Sequence, residues 1–217
     1  MTEKIVSLEK SGHGGNVKVT REDWLRVAND VLVSQGVEKV KVLTLGKRLD
    51  VSRSSFYWYF KSRKELLEEL LKTWEQSNTA LLIEYTQKPA ETITEAVCNL
   101  FKCFIDPGLF NPQLDFAIRE WARRSGPVRR VVDRSDEARL AAIGAMYERH
   151  GYSVQDASAR ARILYYMQIG YYALELHEAL DTRLSNAPGY LEGFTGVKPR
   201  KSEIDALVSY VSSIKPS

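Results

Sequence analysis

The segment LDVSRSSFYWYFKSRKELL, residues 49–67, gathers groups suited to gripping a partner. Arg53, Ser54 and Ser55 supply a guanidinium and two hydroxyls, and aromatic residues then run without a break from Phe56 to Phe60. Successive side chains on a helix turn by roughly 100°. Phe56 and Phe60 therefore share a face, an apolar one continuous with Leu45, Leu49, Val51 and Leu66. Trp58 falls on the opposite face, with Ser54 one turn before it. Arg53 and Tyr57 form one flank of that face, Ser55 and Tyr59 the other. Tyrosine hydroxyls can donate to phosphate, arginine can read guanine bidentately, and an apolar ring can meet a thymine methyl. The plainer reading packs Tyr57, Trp58 and Tyr59 against a neighbouring helix.

Such a face needs a frame. TREDWLRVANDVLVSQG opens with Thr20 and Asp23 at capping-box spacing, and Trp24, Ala28, Val31 and Leu32 share one side before Gly36. A short helix over 42–49, a tight turn at Asp50-Val51-Ser52 and a second short helix over 53–59 follow. Ser62 is placed to cap a long amphipathic helix reaching about Tyr85, with Leu66, Leu67, Leu70, Leu71 and Trp74 as its stripe. Two short helices about a tight turn make a helix-turn-helix.

The remaining pattern is helical throughout. Helices are expected from Pro89 to Ile105, over 112–124, 127–149, 154–179 and 201–214, with a Gly-, Pro- and Asn-rich loop over 181–200. The fold class is all-α: a mobile arm over 1–19, a three-helix head over 20–64 and a helical bundle over 65–217, about nine helices in all.

Composition narrows the function. With 44% hydrophobic and 27% charged residues the chain is ordinary globular protein. The first ten residues lack the apolar run of a secretory signal, and ILYYMQIGYYALEL is too short for a membrane span, so a cytoplasmic location is expected. Cys98 and Cys103 lack metal or redox spacing and read as free, buried thiols. His13, His150 and His177 are scattered, and no zinc-protease, phosphate-loop or hydrolase-elbow motif occurs, so neither an enzyme, a metal nor a cofactor is expected. Net charge is +3, yet residues 1–64 hold 13 Lys+Arg against 7 Asp+Glu while the remainder is net acidic. A basic front end suits a polyanion.

LGKRLDVSRSSFYWYFKSRKELL resembles the DNA-binding signature of TetR-type transcriptional regulators, and the likeness covers about residues 20–71. The resemblance implies that Arg53, Ser54 and Ser55 face bases, that Tyr57 and Tyr59 touch phosphate, that Trp58 enters the groove, and that Arg63, with Lys61 beside it, clamps phosphate at a helix N-terminus. Three positions depart from the family's pattern. Asp50 replaces the turn glycine, though Asp tolerates the left-handed region. Lys41 replaces a capping Ser or Thr and could pair directly with phosphate. Tyr59 stands where His is common.

The resemblance further implies a homodimer on a palindromic double-stranded DNA operator, usually as a repressor, with a small-molecule effector in the second half. The residues allow both. The helix at 154–179 is apolar nearly all round and needs cover on two sides; with 201–214 and a second copy it could form a four-helix interface, or it could be buried within a monomer. Trp74, Phe101, Phe104, Phe116, Trp121, Tyr147, Tyr165 and Gln168 are candidate pocket residues, most of which would be plain core. Arg119, Glu120 and Arg123 oppose Asp133 and Asp136 across Gly126-Pro127, as structural ion pairs or as receivers of an acidic ligand. The competing reading is a DNA-binding regulator with no small-molecule effector, controlled by a protein partner.

Overall fold

The computed structural model describes residues 19–176 and 178–214. The expected arm lies almost wholly outside them, as do His13 and His177. Eleven α-helical segments are described: α1 (Arg21–Gln35), α2 (Val42–Leu49), α3 (Arg53–Phe56), α4 (Arg63–Trp74), α5 (Leu81–Thr86), α6 (Ile93–Ile105), α7 (Pro112–Ala122), α8 (Gly126–Arg149), α9 (Val154–Ala173), α10 (Leu180–Thr195) and α11 (Lys201–Ser213). A π-helical turn, Glu75–Ala80, joins α4 to α5 without a break, so the segments make ten rods. The described residues contain no strand.

Side chains cap the helices where the sequence places them. Thr20 and Asp23 close a reciprocal box at α1, and Ser62, Thr92, Asn111 and Ser153 each accept a backbone N–H in the first turn of α4, α6, α7 and α9. Thr92 moves the start of α6 to Ile93, later than Pro89, because it satisfies the Glu95 N–H that Pro89 would leave open. The segment 181–200, expected as a loop, is mostly α10. Ala187, Leu191 and Phe194 fall on one face and pack into the core, Phe194 edge-on to Phe101 at 5.9 Å. Tertiary burial at helical spacing outweighs the weak helix propensity of Gly189, Gly193 and Pro188. α9 ends at Ala173, short of 179, where Glu175 turns to a positive φ of 48°.

Two apolar cores result. One joins α1, α2, α3 and α4 to Leu114, Ile118 and Ala122 of α7 and Val128 and Val132 of α8. The other fills the space between α5, α6, α8, α9, α10 and α11. The head is therefore completed by α7, and its packing does not stop at residue 64. Cys98 and Cys103 lie free and buried in the second core, where burial pushes both thiols up to about 12 and keeps them protonated.

Candidate nucleic-acid interface

The frame beneath the outer face is built from rings. Phe56 and Phe60 are buried, stacked on each other at 5.3 Å, and Trp24 of α1 meets Phe56 edge-on at 5.2 Å. Asp50 adopts the left-handed conformation at φ 52°, ψ 45° and ends α2 as the resemblance implied. The Val51 N–H then donates to the Gly46 carbonyl at 3.0 Å. A side chain on Gly46 would come within 3.1 Å of the Val51 carbonyl, so this close crossing needs glycine.

On this frame α3 is only Arg53–Phe56, and residues 57–59 form a tighter turn, with the Trp58 and Tyr59 N–H groups reaching Ser55 and Phe56. The shortening leaves Trp58 outside. It is 85% exposed and Tyr57 50%, which removes the packed reading for both. The Arg53 guanidinium donates to the Tyr57 hydroxyl at 3.0 Å and lies over its ring. The Ser52 and Ser54 hydroxyls pair at 2.7 Å, and Ser55 is half-buried beside them. Lys41 and Lys61 are exposed, and Lys41 makes no side-chain cap on α2.

Two residues differ from the roles the resemblance implied. The Tyr59 hydroxyl donates to the Val19 carbonyl at 2.6 Å, and its ring packs against the head core. Arg63 donates through Nε to the Val40 carbonyl and through Nη2 to the Val37 carbonyl, both at 2.6 Å. It fastens the turn before α2 to the start of α4. Both groups are spent on the protein's own carbonyls, because the loop 36–41 and the entry strand of chain at Val19 offer acceptors that helices cannot satisfy. Leu43, 63% exposed on α2, joins this surface unforeseen; its signal was an apolar residue out of phase with Leu45.

The pocket candidates divide. Trp74, Tyr147 and Tyr165 are buried and committed: Trp74 donates to Asp115 at 2.8 Å, Tyr147 to the Phe194 carbonyl at 3.3 Å, and Tyr165 to Asp136 at 2.7 Å. Phe116 and Trp121 line shallow surface clefts beside α7. Phe101, Phe104 and Gln168 do line one cavity, between α6, α9, α10 and α11, with an empty volume of about 590 Å³ that includes its opening to solvent.

Beside that cavity runs a buried ionic network that the sequence hid. Arg119 pairs bidentately with Asp136 and also with Asp115 at 2.8 Å. Arg139, 0% exposed, bonds to Asp115 at 3.0 Å, to Thr79 in the π-helical turn and to Tyr165. Arg119 is thus an ion-pairing residue, while Asp133 pairs with Arg129 on its own helix. The signal for Arg139 was its phase: it shares the stripe of Val132, Ser135 and Ile143 on α8. No cluster of His, Cys, Asp and Glu suited to a metal occurs among the described residues, and His150 spends Nδ1 on the Met146 carbonyl at 2.8 Å.

Residues 25–70 match the family model of bacterial regulatory proteins, tetR family. No curated protein matches the chain. Solved structures share the fold at low identity. The ketosteroid transcriptional regulator KstR2 of Mycobacterium tuberculosis is 16% identical at a TM-score of 0.62, covering 86% of this chain and 98% of its own. AmtR of Mycobacterium smegmatis is 14% identical at 0.60, covering 93% and 98%. A TerR/AcrR-family regulator from Aquifex aeolicus VF5 is 17% identical at 0.58, covering 82% and 96%. The chain therefore carries the helix-turn-helix DNA-binding domain of the tetR family of bacterial regulatory proteins, set on a second helical half with the fold of solved transcriptional regulators.

Proposed function

We propose that this chain is a homodimeric, cytoplasmic transcriptional regulator, a repressor in its default action, that reads a palindromic operator and releases it when a small molecule enters the second half. The observation that carries the reading is the outer face of α3. Arg53, Ser54, Tyr57 and Trp58 stand exposed on a turn whose underside is locked by Trp24, Phe56 and Phe60. A rigid, donor-rich face of that size enters a major groove, while Lys41 and Lys61 supply phosphate contacts. No helix among the described residues is long and apolar enough to cross a membrane, in keeping with a protein that meets DNA.

The dimer face is best assigned to α9 with α10. Ala159, Ile163, Tyr166, Gly170 and Ala173 recur along the outer side of α9 at the alternating four- and three-residue spacing of a helix-packing seam. On α10, Tyr190, Gly189 and Gly193 face outward, and a methyl group on Gly170, Gly189 or Gly193 would meet nothing. Mid-helix glycines cost about 1 kcal/mol each against alanine. No intramolecular neighbour needs them small, whereas a second copy packed closely would. α11, the partner expected from the sequence, instead turns Leu207 and Val211 into its own domain's core.

The experiment is selection from random duplex DNA at physiological salt, followed by sequencing. An enriched palindrome with half-sites about one helical turn apart or somewhat more is expected. Binding without enrichment that vanishes as salt rises would reduce the head to a backbone grip and end the operator reading.

A further inference from the structure

The cavity between α6, α9, α10 and α11 contains one polar group that the protein leaves unserved. Gln168 is 4% exposed, its Nε2 is buried without a hydrogen-bond partner, and its side chain makes no hydrogen bond among the described residues. Its neighbours on α9 are served: Tyr165 donates to Asp136 and Tyr172 to the Phe104 carbonyl at 2.8 Å. A buried amide donor without an acceptor is costly, and native interiors rarely keep one without cause. A water would find few further partners, since Phe101, Phe104, Met167, Leu184 and Leu207 make most of the wall. Whichever way the amide is turned, one donor faces this cavity.

The charged groups on the wall are Arg183 and Glu178, one of each sign, and Arg183 stacks over the Tyr171 ring at 4.7 Å. The cavity therefore carries no net charge to draw an anion. Resting on the reading of the second half as effector-binding, we propose that the cavity takes a neutral, mainly apolar small molecule whose carbonyl oxygen is received by Gln168. An apolar body fills the aromatic wall, and the carbonyl supplies the acceptor that the protein withholds.

Three probes of one shape test this: benzophenone, diphenylmethane, in which a methylene replaces the carbonyl, and the anion 4-benzoylbenzoate. Affinities are measured by saturation-transfer NMR titration on the full chain and on Gln168→Met, with Gln168→Leu as a second variant should the first fold poorly. The unliganded melting temperatures are compared as well. The wild type is expected to bind benzophenone about tenfold tighter than diphenylmethane, and Gln168→Met is expected to bind the two alike. The unliganded variant should melt no lower than wild type, because an apolar isostere removes an unserved amide. Equal binding of the two neutral probes, no binding of either, tighter binding of the anion, or a clear fall in melting temperature would each overturn the proposal. The same preparations enter the DNA selection. An enriched palindrome without carbonyl preference loses the cavity assignment alone, whereas failure to enrich any DNA loses the regulator reading itself.

Discussion

Asp115 is buried between Arg119 and Arg139, accepting from both and from the Trp74 indole. Burial alone would raise its carboxyl, but the charges of Arg139 and Arg119 outweigh it and hold the group below the ordinary carboxylate value. Its contribution to stability is therefore full above its unfolded pKa of about 3.9 and is lost as the pH falls through the lower folded value. Asp115→Ala should cost about 3–5 kcal/mol at neutral pH, since it strands a fully buried guanidinium. It should also flatten the acid limb of the stability curve. Urea unfolding at several pH values reads both, and an unchanged acid limb would mean that other carboxylates govern it. At the DNA face, Arg53 is parked on the Tyr57 hydroxyl rather than on a carboxylate, so no ion pair must break before it reaches a base. Arg53→Ala should relax preference at one position of each half-site by about 1–3 kcal/mol. Repeating the selection with the variant checks this; unchanged preference would place Arg53 on phosphate.

At the scale of elements, Arg63 is a brace between α4 and the turn leading into α2. Arg63→Ala should destabilise the fold by about 1.5–3 kcal/mol, the range for a hydrogen bond to a charged group, even with no DNA present. An unaltered melting curve with weakened DNA binding would return Arg63 to the phosphate role. This brace shows what a sequence conceals. The resemblance correctly marked Arg63 as important, but only the fold reveals that Val37 and Val40 leave carbonyls pointing at it. The helices with strong caps and clean stripes, α1, α4 and α7, were legible because local chemistry and burial agree in them. α10 was not, because its Gly189, Gly193 and Pro188 speak for a loop while Ala187, Leu191 and Phe194 are held by distant partners. Arg139 was passed over for a similar reason: a charge in a core stripe is credible only once Asp115 and Thr79, far away in the chain, are seen to meet it.

Across the whole molecule, one helix touches both the cavity and the network that leads to the head. α9 sets Gln168 on the cavity wall and, one turn earlier, Tyr165 against Asp136, Arg119 and Arg139. Arg139 bonds Thr79 in the π-helical turn, and Asp115 bonds Trp74 on α4, whose N-terminal end carries the head. A ligand can shift this arrangement only by binding one of two states more tightly, and the quantity it must change is the relation between two heads. That makes the dimer seam the test of the whole scheme. Ile163→Asp places a carboxylate in the middle of the outer face of α9, where the native side chain is 57% exposed in the single chain. Because that side chain already faces water there, the substitution should leave the unfolding of the isolated subunit nearly unchanged. Across an apolar seam the same carboxylate is met twice, once from each copy, without a partner. The dimer dissociation constant should rise at least about 100-fold, near 3 kcal/mol. Sedimentation equilibrium measures this directly, with circular dichroism to show that the helices persist. The monomer should retain contact with a half-site yet lose tight binding to the palindrome, since the second head no longer arrives at high effective concentration. An unchanged dimer would put the two-fold axis elsewhere, with the exposed Val208 side of α11 the next surface to substitute.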